Sequence, residues 1–402
     1  MLPTVAGFIP EHDSELFAAA PASAAVFVLR GVEGSEPYVG KTSNLRRRLQ
    51  RLLGAVEGHT RKLSLRDRVR SVEWTSAGSD FEAQYLLYKT LRHEFPKTYD
   101  QRLRLRFAPL IKLIVDNDYP RSTVTTRIGG LKSSAQYFGP FPTRVAAEKF
   151  EGDALDLFKM RRCVDDLNPD PAFPGCIYSE MKMCLAPCFK GCSDEDYATE
   201  VVRVQEFFAT GGRSLIRELE NQRDDASANL DFEGAAAVHT RLEKVKSVAS
   251  QLPEIVRRLD DLNGVMIQPA AERDTVTLFK IAAGTICDPV LLDFGRQTSA
   301  SQAGGKPLSM ESRITQVLDP VESPRLRSAL EWMEHLAILK RWYYRTSKLG
   351  ELFLTDNGEL PMRRVVRGVS RVVRGEKASG DLSETAGDYW QFRAREAGIP
   401  DK

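Results

Sequence analysis

The sequence lacks the features that would place a protein in a membrane or direct it out of the cell. No stretch of its 402 residues approaches the ~20 consecutive apolar residues that a membrane-spanning helix needs. Met1 is followed by Leu-Pro-Thr-Val-Ala-Gly, without the basic segment of a secretory signal or transit peptide. Net charge is also nearly absent, since 57 basic residues are balanced by 55 acidic ones. These absences favour a cytoplasmic location, and the net charge of +2 does not by itself indicate nucleic acid.

Charge is present locally. Basic residues are concentrated in 41–51 and 363–374, and acidic residues in 194–200 and 218–233. One such run is ordinarily a solvated helix face, whereas separate basic and acidic surfaces would suit different partners. The hydrophobic content of 42% and the length allow two or three domains, each with its own core. The sequence therefore predicts a multi-domain α/β protein.

A β-hairpin followed by a basic helix is predicted near the N-terminus. Residues 24–30 are β-branched and aromatic, and a Gly/Glu/Ser/Pro turn separates them from a second strand at Tyr38-Val39. Residues 42–44 supply an N-cap, and leucines recur at helical spacing through 45–53 beside Arg46, Arg47 and Arg48. A further helix is expected from Phe81 to Phe95, before Pro96, followed by strands at 110–115 and 121–128.

A cysteine-rich segment comes next. Five of the six cysteines lie between residues 163 and 192, together with four prolines and little periodicity. Cys163, Cys176, Cys184 and Cys188 are separated by 12, 7 and 3 residues. In a cytoplasmic chain this pattern indicates a metal centre rather than disulfides, and thiolates suit either zinc or an iron–sulfur cluster. Cys192 either replaces one ligand or takes no part, and unliganded structural cysteines are the alternative.

Helices and short strands are expected in the remainder. Residues 200–248 have helical periodicity with a break near 229–232, which predicts a helical hairpin. Its seam is predicted to pair apolar residues of the two helices, namely Leu215, Leu219, Ala226 and Leu230 with Ala235, Val238, Leu242 and Val245. Phe232 at the turn is then a candidate partner anchor, and a hairpin that caps its own domain is the alternative. Later expectations are strands in 264–294, a loop at 298–306, a helix at 325–346, and a β-hairpin at 356–358 leading into a basic segment that contacts phosphates or solvent.

Several motifs resemble, in order, parts of the UvrC family. Tyr38-Val39-Gly40-Lys41 and the basic helix resemble the second motif of a GIY-YIG nuclease module, and Tyr137-Phe138-Gly139-Pro140-Phe141 resembles the segment that follows it. The cysteines match that family's cysteine block, and residues 218–246 are similar to the helical hairpin with which UvrC binds UvrB. The resemblance spans roughly residues 20–250.

This resemblance implies a domain order and site residues. The expected parts are a GIY-YIG-like α/β domain (20–105), a cysteine-rich middle domain (106–200), a UVR-like helical hairpin (205–250) and a short α+β C-terminal region (251–402). It implies catalytic roles for Tyr38, Lys41 and Arg48, and DNA contacts by Arg46–Arg48. It also implies a [4Fe-4S] cluster on the four cysteines, with zinc as the alternative, and a UvrB-like partner at Phe232.

Two positions depart from the nuclease pattern. The tyrosine of the first motif is replaced by Phe27, and Leu87 occupies the position of the metal-binding glutamate. Leucine has no oxygen ligand for Mg²⁺ or Mn²⁺. Glu82 lies five residues earlier, on another face of the helix, and Tyr99-Asp100 is nearest to the expected downstream asparagine. The C-terminal half also lacks most of the RNase-H-like and helix-hairpin-helix parts of UvrC.

Three functions are consistent with these residues. The first is a UvrC-like nucleotide-excision-repair protein that binds DNA and a UvrB-type partner but has a degenerate nuclease site. The second is an active, truncated structure-specific endonuclease of the Cho type, with Mg²⁺ or Mn²⁺ held by another carboxylate such as Glu82. The third is a redox sensor that carries a cluster on the same scaffold.

Overall fold

The computed structural model describes residues 2–55, 65–131, 133–293, 308–322 and 328–376. In these ranges the strands form three antiparallel sheets, which alternate along the chain with helical segments. The predicted mixed α/β, multi-domain fold is confirmed. None of the helices in the described ranges has the length and apolar character needed to cross a bilayer.

The first sheet has the strand order β1-β4-β2-β3, with β3 at one edge. Its strands are β1 (Thr4–Gly7), β2 (Ala25–Arg30), β3 (Tyr38–Thr42) and β4 (Ser71–Ser76). Helices α1 (Asp13–Ala19) and α2 (Leu45–Leu53) pack on one face, where Phe27 and Leu29 point, and α3 (Asp80–Glu94) packs on the other, where Val26 and Val28 point. A short helix, α4 (Tyr99–Leu103), follows. The predicted hairpin, the basic helix and the helix predicted from Phe81 to Phe95 are confirmed. Strand β1 extends this sheet ahead of the expected boundary at residue 20.

The middle sheet has the order β6-β5-β7-β8. It contains β5 (Leu110–Ile114), β6 (Arg121–Thr125), β7 (Gln136–Gly139) and β8 (Arg257–Arg258). Helices α5 (Arg144–Leu155) and α7 (Asp194–Thr210) cover it, and the cysteine segment between them contains the short α6 (Ile177–Glu180) and a 3-10 turn at Pro187–Phe189. Strand β8 follows the helical hairpin in sequence, so the hairpin is an insertion between strands of this sheet.

The helical hairpin consists of α8 (Arg213–Ala228) and α9 (Phe232–Ala249). The predicted break near residues 229–232 is confirmed, but a second break at Gly211-Gly212 was not predicted. Both glycines have positive φ, 60° and 89°, which is the left-handed region that glycine adopts without a Cβ penalty. This turn ends α7 and lets α8 fold back against it.

The C-terminal sheet has the order β11-β10-β9-β13, with β12 paired to β10. Its strands are β9 (Gly264–Pro269), β10 (Thr275–Ala282), β11 (Thr285–Ile286), β12 (Val290–Asp293) and β13 (Glu351–Leu354). Helices α10 (Met310–Leu318) and α12 (Met362–Val373) cover one face, and α11 (Ala329–Tyr343) lies on the other. The strands predicted in 264–294 are confirmed, the helix predicted at 325–346 is shorter, and the loop predicted at 298–306 lies outside the described residues.

The hairpin predicted at residues 356–358 is wrong beyond its turn. Asn357 and Gly358 have the positive φ values of such a turn, 48° and 83°, but the only pairing beyond it joins Asp356 and Glu359. The chain then enters α12, because valines recur at helical spacing here, and Val365, Val369 and Val372 are buried. The basic segment is therefore one face of an amphipathic helix.

Helix α3 joins the first unit to the C-terminal sheet. One side of α3 faces the first sheet, and the other contributes Phe81, Tyr85 and Tyr88 to a core shared with β9, β10 and α11. Phe81 lies edge-on to Phe279, with ring centroids 5.0 Å apart. Such aromatic pairs add to the stabilisation that burial provides, so the two units form one packed interface.

Candidate functional sites

The predicted nuclease face begins where edge strand β3 meets helix α2. The Asn44 side chain caps α2 by accepting a hydrogen bond from the backbone N–H of Arg47 at 2.9 Å. This cap fixes the first turn, from which Arg48 Nη2 donates to the Tyr38 hydroxyl at 2.7 Å. Arg48 Nε is buried and has no hydrogen-bond partner among the described residues. Two of the three residues with implied catalytic roles are therefore in direct contact.

Lys41 lies on the other face of the sheet. Tyr38 is paired with Leu29 and Lys41 with Val26, and these two residues of β2 point to opposite faces. Lys41 Nζ instead contacts Asp80 Oδ1, at the start of α3, at 2.6 Å. A ligand that touches both Lys41 and Arg48 must therefore pass around the exposed edge at β3.

Both oxygens of the Asp80 carboxylate are engaged by cations. Oδ1 accepts from Lys41, and Oδ2 accepts from Arg345 Nη1 at 2.6 Å. Burial opposes ionisation of Asp80, but the Lys41 hydrogen bond and the charges of Lys41, Arg345 and Arg341 outweigh it and lower the pKa of the carboxyl. Asp80 is thus an ionised carboxylate that already has two cationic partners.

Apolar groups occupy the two positions that depart from the nuclease pattern. Leu87 is half-buried on the α3 side of the first sheet, in one apolar cluster with Val26 and Val39. Phe27 is fully buried on the α2 side. A Cβ added to Gly40 would lie 3.2 Å from Phe27 Cζ, so the ring carbon that bears the hydroxyl in tyrosine faces the backbone of β3.

Glu82, the carboxylate considered as a substitute ligand, faces the C-terminal sheet. Its Oε2 accepts from the Gly78 N–H at 2.7 Å, and its Oε1 accepts from the Thr277 hydroxyl at 3.3 Å. Burial raises the pKa of Glu82, although these hydrogen bonds oppose the shift. Glu82 and Leu87 therefore lie on different sides of α3.

The three arginines predicted to bind DNA have different surroundings. The Arg46 guanidinium donates to the carbonyl oxygens of Ala20 and Ala18 at the end of α1, at 2.9 and 3.2 Å. Arg48 is held at Tyr38, and Arg47 is exposed. Of these three, Arg47 is presented most directly to solvent.

Tyr99, nearest to the expected downstream asparagine, belongs to a polar network that sequence reasoning missed. The hydroxyls of Tyr99 and Tyr88 donate to the two oxygens of the buried Glu334 carboxylate, at 2.8 and 2.9 Å. His335 Nδ1 accepts from the Ile286 N–H at 2.9 Å, and burial lowers the pKa of His335 to about 4. The adjacent Glu334 and His335 within an otherwise apolar stretch of α11 were the available signal.

The four cysteines of the predicted metal centre are half-buried between α5 and α7. Burial raises the pKa of the Cys184 thiol to about 11, and Cys163, Cys188 and Cys176 are close enough to raise it further. The Ala186 N–H donates to Cys184 Sγ and Arg161 Nη1 to Cys163 Sγ, both at 3.3 Å. Within the described ranges, no group of three or more His, Cys, Asp or Glu side chains could hold a single metal ion as positioned.

The donor chemistry nevertheless suits a thiolate-ligated centre. Four thiols lie near one another, and N–H donors directed at sulfur stabilise the anionic form that binds metal. Cys192 is half-buried beside Cys188, and burial followed by the charges of Asp196, Asp194 and Cys188 raises its pKa. Which of the five thiols bind a metal stays a prediction.

The helical hairpin has an anchored base and an exposed tip. Leu215, Leu219, Leu242 and Val245 are buried in the core of the middle unit, which confirms the inner part of the predicted seam. The seam prediction is wrong for Leu230, which has a φ of 60°, closes the turn and is 73% exposed. Phe232 begins α9 and is 67% exposed. Two large apolar side chains therefore stand uncovered at the tip.

Comparison with known proteins identifies the class to which the central third of the chain corresponds. Residues 108–207 match the UvrC/Cho excinuclease middle domain, and residues 213–248 match the UvrB/uvrC motif. The second match contains both helices of the hairpin and its exposed tip. The chain thus carries a UvrC-type middle domain followed directly by a UVR motif.

The individual relatives are UvrABC system protein C from several organisms. The chain is 30% identical to the Alcanivorax borkumensis protein over 56% of this chain and 36% of the relative. It is 28% identical to the Methanothermobacter thermautotrophicus protein over 66% and 44%, and 25% identical to the Saccharopolyspora erythraea protein over 79% and 47%. The chain therefore spans less than half the length of these curated relatives. No solved structure matches it significantly.

Proposed function

We propose that this chain is a UvrC-like nucleotide-excision-repair protein that binds DNA and a UvrB-type partner and does not cut DNA itself. The observation that carries the proposal is the tip of the matched UVR motif, where Leu230 and Phe232 are exposed while the base of the hairpin is buried. Exposed apolar groups on a surface typically mark interaction sites.

The hairpin is ordered without a partner. Asp231 caps α9 by accepting from the Gly234 N–H at 2.9 Å, and the buried leucines of the base hold α8 against α9. A preorganised surface loses little conformational entropy on binding, so more of the contact energy appears as affinity. This supports Phe232 as the partner anchor.

The groups around Lys41 and Arg48 support the proposal that the nuclease is inactive. Phosphodiester cleavage by such a module uses a phenol to align water, cations to stabilise the transition state, and one divalent metal held by a carboxylate. Leu87 supplies no ligand, Glu82 faces the C-terminal sheet, and both Asp80 oxygens have cationic partners. Tyr38, Lys41 and Arg48 remain to contact phosphate without performing the reaction.

The cysteine block is proposed to hold a [4Fe-4S] cluster on Cys163, Cys176, Cys184 and Cys188. The closeness of the four thiols and the N–H groups directed at two of them support a thiolate site. The cluster would contribute folding energy to a segment with little secondary structure. Anaerobically purified protein should be brown with about four irons per chain, whereas colourless protein with one zinc would replace the cluster with a zinc site.

Two measurements on the purified chain test the function. Calorimetric titration with a UvrB protein should give saturable binding, and its absence would contradict the partner. Incubation of damaged, branched and plain duplex DNA with Mg²⁺ or Mn²⁺ should give no nicks. If the parent nicks DNA in a metal-dependent way and Tyr38→Phe abolishes nicking, the Cho-type endonuclease replaces the proposal.

A restoration experiment sharpens the second measurement. Leu87→Glu returns the carboxylate, and Phe27→Tyr returns the phenol, although its hydroxyl must be accommodated against the Gly40 backbone. Thermal unfolding of each variant is measured first, because both positions are packed. Nicking by the folded double variant and none by the parent would identify the two missing groups as the cause of inactivity.

A further inference from the structure

Asp80 links cations that come from two different units. Lys41 belongs to the first sheet and Arg345 follows α11 of the C-terminal unit, and each lies 2.6 Å from one oxygen of the same carboxylate. Arg341, on the last turn of α11, is exposed and close enough to lower the pKa of the Asp80 carboxyl. Two cations therefore contact one anion at the junction of the two units, and a third lies on the adjoining last turn of α11.

This group is open to solvent. The side chains of Lys41, Asp80 and Arg345 are 24%, 46% and 51% exposed. With three positive charges and one negative charge, the group has an excess of two positive charges. An excess of this kind, held in place by a fixed carboxylate, attracts an anion from solution.

Ion pairing alone does not account for this arrangement. Exposed ion pairs contribute only about 0–1 kcal/mol to stability. The two units are already joined by the buried aromatic cluster in which Phe81 lies edge-on to Phe279 and Trp342. The cations are therefore not needed to hold the interface closed.

We propose that Lys41, Arg341 and Arg345 form a phosphate-binding seam across the two units, with Asp80 as a positioning residue, and that the ligand is the backbone of duplex DNA. The inference rests on the DNA binding proposed above and extends it to the C-terminal unit. Lysine and arginine side chains bind phosphate irrespective of base sequence. The seam would fix how DNA lies relative to edge strand β3, which contains Lys41.

The test uses the full chain and a fluorescent duplex whose binding is followed by anisotropy over a series of KCl concentrations. For B-form DNA, each phosphate contact makes the slope of log K against log salt steeper by about 0.9. One contact therefore changes the affinity roughly tenfold when the salt concentration changes tenfold. Arg341→Ala with Arg345→Ala should therefore lower affinity at least tenfold and make the salt dependence less steep. The matched lysine pair, Arg341→Lys with Arg345→Lys, should retain most of the binding because it keeps both charges.

The control removes the same charge elsewhere. Arg144 and Arg223 are also arginines in surface ion pairs, with Glu148 at 2.6 Å and with Asp224 at 2.7 Å. Their double alanine variant should bind DNA nearly as the parent does. An equal loss in both double variants would show that only net charge matters, and it would overturn the seam.

Asp80→Asn distinguishes a phosphate-binding role of these cations from a purely structural one. Asparagine keeps one oxygen acceptor that can position a cation, but it loses the negative charge that competes with phosphate. If the cations bind phosphate, DNA affinity at low salt should therefore rise and its salt dependence should become steeper. A structural bridge predicts only a small decrease in melting temperature. DNA binding by the parent together with unchanged affinity in the Arg341/Arg345 alanine variant would refute the seam and spare the proposed function. A parent that binds no DNA would refute both.

Discussion

Helix α3 and the tip of the helical hairpin present aromatic side chains in opposite ways. Phe81, Tyr85 and Tyr88 of α3 are buried against the C-terminal sheet, whereas Phe232 at the tip is 67% exposed. The two tyrosines of α3 donate hydrogen bonds within the chain, Tyr88 to the Glu334 carboxylate and Tyr85 to the Ile286 carbonyl oxygen. At the tip, the backbone is capped but Phe232 and Leu230 are uncovered.

The difference separates a helix that joins two units from a tip that is exposed. In the nuclease pattern that the sequence resembles, the helix expected at the position of α3 carries a metal-binding carboxylate, but in this chain Leu87 packs on one side of α3 and Glu82 is buried on the other. A helix whose two sides are both buried can join two units but cannot easily offer a ligand. The hairpin tip exposes Leu230 and Phe232, as the proposed partner binding requires.

The largest expected effect is on stability and comes from Phe81→Ala at the α3 interface. Removing a fully packed aromatic ring typically costs about 3–5 kcal/mol because it loses buried area and leaves a cavity. The unfolding midpoint should fall clearly, while affinity for a UvrB protein per folded molecule should not change. Phe173→Ala, at an aromatic side chain that is 43% exposed, is the control and should leave the midpoint nearly unchanged. A similar midpoint in both variants would show that the aromatic interface contributes little.

The second effect is on the pH dependence of stability and comes from His335. Burial lowers the pKa of His335 to about 4 from its usual value of 6.5, so the unfolded chain takes up a proton at a higher pH than the folded chain. The free energy of unfolding should therefore fall as pH decreases from 6.5 to 4, by up to about 3 kcal/mol from this group. Burial raises the pKa of Glu82 and Glu334, which act in the opposite direction.

His335→Asn isolates that contribution. Asparagine keeps an acceptor for the Ile286 N–H and does not titrate, so the variant should lose less stability than the parent between pH 6.5 and pH 4. The measurement is chemical denaturation at several pH values, and the comparison is between the two pH dependences rather than the two stabilities at one pH. Parallel curves would mean that His335 is protonated in the folded protein at moderate pH.

The third effect is on affinity and comes from Phe232→Ala at the hairpin tip. If the ring is a hot spot, its removal should weaken binding of a UvrB protein by about 2 kcal/mol, or roughly thirtyfold. Stability should hardly change, because the ring is exposed and the Asp231 cap is retained. Calorimetry measures the affinity, and Phe173→Ala again serves as the control. Equal affinities of parent and Phe232→Ala would exclude the tip as the anchor.

Local sequence patterns were sufficient where each element is stabilised by its own residues. β-Branched and aromatic residues with an intervening turn predicted strands β2 and β3, and leucine spacing with a capping residue predicted α2. The break at Gly211-Gly212 was missed because helical periodicity continues on both sides of it. Leu230 was placed in the seam because its spacing fits, although its left-handed backbone removes it from the helix.

Contacts between units could not be read from spacing. Asp80 and Arg345 are 265 residues apart in sequence, and Tyr88 and Glu334 are 246 apart. Nothing in the local sequence indicates such partners. The polar network at α11 and the cations around Asp80 could therefore be identified only from the fold. The substitutions at Phe27 and Leu87, including the loss of a carboxylate at position 87, were visible in the sequence. The apolar packing of these two side chains was not.

The smallest effect tests whether the order of α2 matters for DNA binding. Asn44→Ala removes the cap that accepts from the Arg47 N–H, and loss of such a cap costs about 1 kcal/mol. Thr143→Ala removes the equivalent cap of α5, which accepts from the Ala146 N–H at 3.1 Å, and should lower stability by a similar amount. Fraying of the first turn of α2 would disorder Arg47 and loosen the Arg48 contact to Tyr38, so DNA affinity should fall a few-fold in Asn44→Ala only. Equal DNA binding by the two variants, at matched loss of stability, would mean that the arginines of α2 contact DNA weakly and that the cations around Asp80 provide most of the binding.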